Sequence, residues 1–226
     1  MSDVASNLTP KDLFGPLKRF GIMGGSFDPI HIGHLSIAQQ TLNALKLEEV
    51  VLVPAAAPPH KQDGREQASP ADRLEMCRLA VHNMRGLSVS DFEIRKGGIS
   101  YTVDTARLVR KAYGPASQIY FLIGSDSLAD LPHWREIREL LTLVDFATAD
   151  RREAPIQPSL WEKVRAALGD DAVAQLKKGV VDVQRVDVSS TEIRKLLKSN
   201  ERIPGYLRKD VEVYIRKYGL YGAARQ

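Results

Sequence analysis

The chain has 226 residues, 43% hydrophobic and 27% charged, with a formal net charge of +4 at pH 7 and one cysteine, Cys77. This composition describes a globular protein with a real core, excludes a disulfide framework, and makes a reducing compartment, the cytoplasm, the expected home. No apolar run approaches a membrane span, residues 1–17 lack the apolar core of a secretion signal, and the basic residues are dispersed at helical spacing, so neither a membrane nor a nucleic acid is expected as a partner.

Residues 1–17 read as a flexible N-terminal arm, and residues 18–226 as one domain. Residues 18–23 read as a short strand. A glycine-rich corner follows, and then a helix from Leu35 to Leu45 with apolar residues at 35, 37, 38, 42 and 45. Glu49–Pro54 is a buried strand that ends in a loop to Ala68. Ser69-Pro70-Ala71-Asp72 opens a helix to about Met84, with a capping Ser, Pro at the first position and an acid in the first turn. The alternation over Leu87–Ile94 predicts a strand, and Gly97-Gly98 breaks it. Ser100 to Asp104 opens a helix to Tyr113, and the apolar run Ile119–Gly124 predicts a central parallel strand. A helix to Leu141, a strand over 143–149, short helices over 160–168 and 172–178 outside the main sheet, and a strand over 180–186 follow. Residues 188–226 form a C-terminal helical part, with helices to Leu197 and from Leu207 to Tyr218. Strands and helices alternate throughout. The expectation is an α/β, Rossmann-like parallel sheet with helices on both faces, whose ligands lie beyond the C-terminal strand ends.

The polar clusters all fall at those ends. Gly24-Gly25-Ser26-Phe27-Asp28-Pro29-Ile30-His31-Ile32-Gly33-His34 joins a strand to a helix, a geometry that turns backbone N–H groups and a helix N-terminus toward an anion. Gly33 permits close approach, and imidazoles beside a phosphate should shift toward the charged form. A zinc site on His31, His34 and Asp28 competes with this reading. The glycine frame is explained better by phosphate, and no metal site is expected. Ser189-Ser190-Thr191-Glu192-Ile193-Arg194 reads either as a plain helix cap or as a second anion site with a guanidinium one turn in. Pro58-Pro59-His60-Lys61, Ser100-Tyr101-Thr102, Asp126 and Trp134 each carry a structural alternative: an exposed loop, two caps and a core ring.

Together these runs resemble the nucleotidylyltransferase superfamily. Within it the chain is most similar to the bacterial nicotinate mononucleotide adenylyltransferase family. The supporting residues are Pro58-Pro59-His60-Lys61, Ser100-Tyr101-Thr102, Ile123-Gly124-Ser125-Asp126-Ser127, Leu131-Pro132-His133-Trp134 and the ending Tyr214 to Tyr221. The resemblance implies that ATP and nicotinate mononucleotide give nicotinate adenine dinucleotide and pyrophosphate, a late step in NAD synthesis, by in-line attack of the mononucleotide's 5′-phosphate on the α-phosphorus. It implies catalytic roles for His31, His34 and Arg194. It places ATP against Gly24, Gly25, Ser26, Phe27, Gly33, Gly124, Asp126, Ser189, Ser190 and Thr191. It places the mononucleotide against Lys61, Tyr101, Thr102, Trp134 and Arg152, with Mg2+ carried in on ATP. It leaves monomer and homo-oligomer both open. A nicotinamide mononucleotide or phosphopantetheine adenylyltransferase, or a non-catalytic nucleotide-binding module, are the competing readings. The chain departs from the family pattern in two places: Ala55-Ala56-Ala57 stands where Asn is usual, and Arg151-Arg152-Glu153-Ala154 lacks the usual Pro-Gly, so either arginine could face the site.

Overall fold

A computed structural model describes residues 13–58, 68–151, 155–184 and 186–225. Six strands form one sheet in the order β3-β2-β1-β4-β5-β6. They are β1 (Arg19–Gly25), β2 (Glu49–Pro54), β3 (Leu87–Val89), β4 (Gln118–Gly124), β5 (Asp145–Arg151) and β6 (Val180–Val183), and every pair is parallel. The expected α/β architecture is therefore the observed one.

Period-two alternation explains how the sheet buries both faces. Val51 and Val53 of β2, with Ile119, Phe121 and Ile123 of β4, point into one core, while Val50, Leu52 and Leu122 point into the other. The first core is covered by α4 (Thr102–Tyr113), α6 (Ile137–Leu143), α7 (Pro158–Leu168) and α8 (Asp170–Lys178). The second is covered by α1 (Ile32–Ala44), α2 (Pro70–Val81), α9 (Ser190–Lys198) and α10 (Lys209–Tyr218). α3 (Phe92–Lys96) and α5 (Ser125–Leu128) are single turns.

Several expectations shift. The strand predicted over 87–94 stops at Val89; Ser90 N–H gives the last bond to Leu52 O, and the chain turns into α3, where Phe92 and Glu93 are buried. A period-two pattern cannot distinguish that turn from a longer strand. The last strand ends at Val183 rather than 186, and the helix begun by Ser69 ends at Val81. The helices over 158–178 do not stand apart from the sheet: Trp161, Val164 and Leu176 share the core of Phe146. The arm expected to be flexible to residue 17 is packed over its last five residues. Leu13 is buried, Phe14 meets the Phe20 and Phe92 rings edge-on, and Tyr113 donates to Gly15 O at 2.8 Å.

The strand order reverses between β1 and β4. Chains of this topology open a crevice there, at the C-terminal strand ends, and both cavities described below lie in it.

Candidate active site

β1 ends in Gly24 and Gly25, and the chain then makes a tight corner into α1. A Cβ on Gly24 would sit 3.0 Å from the Phe121 ring, and one on Gly33 would sit 3.0 Å from both His31 Nδ1 and Val188 Cγ1. At both positions a side chain would crowd its neighbours, and neither glycine has a positive φ. Phe27 takes the positive φ instead, at 47°, a costly conformation for a bulky residue. Its ring lies against Gly25 and meets His34 edge-on at 5.2 Å.

His31 caps α1, and its ring stacks on His34 with centroids 3.7 Å apart. His34 Nδ1 accepts the His31 backbone N–H at 3.3 Å. Burial pushes His31 down to about 4, so in the free protein it is neutral. The expected shift toward the charged form belongs to an imidazole beside a phosphate and is a separate state from this one. His31 Nδ1 is buried and finds no hydrogen-bond partner among the described residues.

The start of α9 closes on the same corner. Ser189 Oγ accepts Glu192 N–H at 3.1 Å, as the capping pattern predicts. Ser190 donates to Pro29 O at 3.0 Å, and Arg194 donates to Asp28 O at 2.6 Å and to Thr191 Oγ1 at 3.2 Å. The cap reading of this segment is the observed one.

Two adjoining cavities occupy the crevice. One, of about 460 Å³, is lined by Gly24, His31, Gly33, His34, Gly124, Asp126, Ser189 and Ser190, with Gln184, Val186 and Val188 beyond. The other, of about 490 Å³, is lined by Gly25, Ser26, Tyr101, Thr102, Glu93 and Arg135. Gly24, Phe121 and Trp134 belong to both walls. Thr191, Arg194 and Phe27 are not among the residues lining either cavity. Lys61 and Arg152 lie outside the described residues, as do Pro59 and His60, and the side chain of Arg151 is likewise outside them.

Trp134 joins both readings given to it. Its ring packs edge-on against Phe121, 6.2 Å away, and against Phe146 at the same distance, yet it remains half-buried and faces both cavities. Tyr101 caps α4, and the Arg135 guanidinium lies 4.6 Å above its ring.

Sequence reasoning missed the brace beneath the site. Arg73 is only 2% exposed. It donates to Ser26 O at 2.8 Å, to Ala55 O at 2.7 Å, to Ala56 O at 3.2 Å and to Ala68 O at 3.3 Å. Burial lowers its pKa and the Asp28 charge opposes this, so the guanidinium remains a cation. Asp28 is itself buried; Oδ1 accepts Tyr221 O–H at 2.7 Å and Ala68 N–H at 3.1 Å. A signal for Arg73 was available: positions 73, 76, 77 and 80 share the buried face of α2, and a cation on that face needs buried acceptors.

The glycine corner, the stacked imidazoles and the capped helix opposite define a nucleotidyl-transfer type of site on a parallel α/β sheet. The chain belongs to the cytidylyltransferase-like family, whose model matches residues 22–196. Proteins carrying the name "Probable nicotinate-nucleotide adenylyltransferase" are similar along most of their length. One from Desulfitobacterium hafniense is 39% identical over 206 residues, 91% of this chain and 97% of that protein. One from Gemmatimonas aurantiaca is 37% identical, over 90% of this chain and 92% of its own. Among solved structures, the nicotinic acid mononucleotide adenylyltransferase of Plasmodium falciparum, complexed with NaAD, superposes with a TM-score of 0.70 at 23% identity, covering 91% of this chain and 98% of that one.

Proposed function

We propose that this protein transfers the adenylyl group of ATP to nicotinate mononucleotide, releasing pyrophosphate and forming nicotinate adenine dinucleotide for NAD synthesis. The observation that carries the reading is the pair of adjoining cavities of similar volume, which meet at Gly24, Phe121 and Trp134. One is built for a polyphosphate and the other for an anion at a helix start. The curated relatives, by name and by near-complete coverage, support the same substrate pair.

The mononucleotide's 5′-phosphate is ionised at neutral pH, so no general base is required. Its oxygen forms a bond to the α-phosphorus as the bond to the pyrophosphate oxygen breaks. The protein's work is placement and charge stabilisation. ATP lies against Gly24, Gly33, Gly124, Asp126, Ser189 and Ser190. His31 and His34 hold its phosphates, and His31 takes up a proton as the polyphosphate charge arrives. Arg194 and Thr191 grip the triphosphate from the first turn of α9, while Gly25, Ser26 and Phe27 fix the corner along which the two phosphates meet. Asp126 takes ribose hydroxyls. On the other side Trp134 stacks on the pyridine ring, and the N–H groups of Tyr101 and Thr102 receive the carboxylate, which a helix N-terminus favours over an amide.

Magnesium enters with ATP. Among the described residues no cluster of three or more Asp, Glu, His or Cys could hold a metal, and Asp28 Oδ1 is occupied by Tyr221 and Ala68. That donor set suits an ion carried mainly on phosphate oxygens, where it neutralises triphosphate charge.

The deciding measurement is kcat/KM with ATP for nicotinate mononucleotide and for its amide. A clear preference for the acid is expected, and a preference for the amide would overturn the substrate assignment.

A further inference from the structure

We propose that Glu93 is a specificity-determining positioning residue: it tethers the first turn of α4, and it takes up a proton when a substrate carboxylate enters the cavity. The proposal rests on the nicotinate reading above.

Glu93 projects from the single turn α3, is 8% exposed, and lines the same cavity as Tyr101 and Thr102. Thr105, also buried, donates its hydroxyl to Glu93 Oε1 at 2.5 Å, and Ser100 lines the same cavity as the carboxyl. Ser100 Oγ in turn accepts Ala56 N–H at 3.1 Å. Ser100 and Thr105 flank Tyr101 and Thr102, the residues assigned to the substrate carboxylate. The carboxyl therefore holds the turn from the Thr105 side, and Ala56 holds it from the Ser100 side.

The charged groups facing Glu93 come from several elements. Lys96 lies on its own helix and Asp104 on α4, and these two pair with each other at 4.0 Å. Across the cavity stand His133 and Arg135, and Arg135 is engaged with the Tyr101 ring and with Glu136 at 3.2 Å. β2, beneath α3, is apolar from Val50 to Pro54. Burial raises the Glu93 pKa and Asp104 adds to this, while the two hydroxyls and Lys96 oppose it. A carboxyl so placed is readily protonated when a second negative charge approaches.

A nicotinate carboxylate gains from the helix N-terminus and loses against ionised Glu93. Protonation from solvent removes the loss. The amide substrate brings no such charge. Binding of the acid should therefore consume more protons than binding of the amide. Both mononucleotides carry the same 5′-phosphate, so its titration cancels in the comparison.

The test is isothermal calorimetry of the wild-type protein with each mononucleotide, in buffers of different ionisation enthalpy near pH 8. It is joined to the ratio of KM for acid to KM for amide between pH 6.5 and 8.5. Extra proton uptake with the acid is expected, with a rise in the ratio over those two pH units of up to about a hundredfold, since one fully linked proton gives tenfold per pH unit and fractional uptake gives less. In Glu93→Gln, which keeps hydrogen-bonding capacity and cannot ionise, the extra uptake should vanish and the ratio should become flat. Equal uptake for both ligands in the wild type, or an unaltered pH profile in the variant, would overturn the proposal. Should the variant not fold, the wild-type calorimetry decides alone. If the wild type forms dinucleotide from neither mononucleotide, the substrate reading falls and this inference with it. Dinucleotide formation with equal uptake strikes only the inference.

Discussion

The polar wall of the imidazole-bearing cavity comes largely from two compact runs, residues 24–34 and 184–190, each a strand end leading into a helix start. The neighbouring cavity is assembled from six separate places: the β1 corner, the loop after β2, α3, the start of α4, Phe121 of β4, and residues 133–135. In the first, sequence neighbours are spatial neighbours, and chemistry and backbone are specified together. In the second, placement depends on elements that meet only after the sheet forms. A brace at Arg73 joins Ser26 on the β1 corner to Ala55 and Ala56 after β2.

Removing that brace should break the contrast altogether. Arg73→Met leaves four backbone carbonyls without this donor, while Asp28 keeps Arg194, Tyr221 and Ala68. A loss of ~3–5 kcal/mol of folding stability in urea unfolding is expected, since each acceptor left unpaired away from water costs about 1–3 kcal/mol. A change within about 0.5 kcal/mol would show that the brace is dispensable.

His34→Ala should sharpen the contrast by injuring one side only. A fall in kcat on the order of 10²–10³ is expected, the usual cost of losing one donor to transition-state charge. Affinity for ATP in equilibrium binding should change far less, and equal losses in both would refute a transition-state role.

Acid should act on the same side through His31. Its folded pKa of about 4 lies below the unfolded value of 6.5. Above pH 6.5 the ring is neutral in both states and contributes no pH dependence. Between 6.5 and 4 the unfolded chain binds the extra proton, so stability falls as pH falls, by about 3 kcal/mol in all. His31→Gln should remove that part of the slope in unfolding curves at pH 7 and pH 4.5. Parallel pH profiles for the two proteins would contradict it.

The smallest effect is expected at the shared wall. Trp134→Ala should raise KM for the mononucleotide ~10-fold, the worth of one aromatic stack, and raise KM for ATP less. An unchanged mononucleotide KM would remove the stacking role.

Legibility in the sequence followed this division. The glycine corner and the Ser189 cap were readable because their backbone requirements are local. The apolar run at 119–124 announced a central strand for the same reason. Phe27 gave no warning of its positive φ, since only packing against Gly25 and His34 holds it there. Glu93 was hidden inside an alternation that predicted a strand, because the end of pairing at Val89 is decided by β2 and not by residues 87–94.

Read alone, the sequence determined the alternating α/β order, the glycine-rich strand-to-helix corner and the identity of the paired imidazoles, all encoded over short distances by residue type and spacing. Only the tertiary structure decided that burial keeps His31 neutral, that Arg73 and Asp28 are buried, and that Glu93 shares a cavity with the start of α4. Burial and long-range charge neighbours set these properties, and both exist only once distant segments have packed.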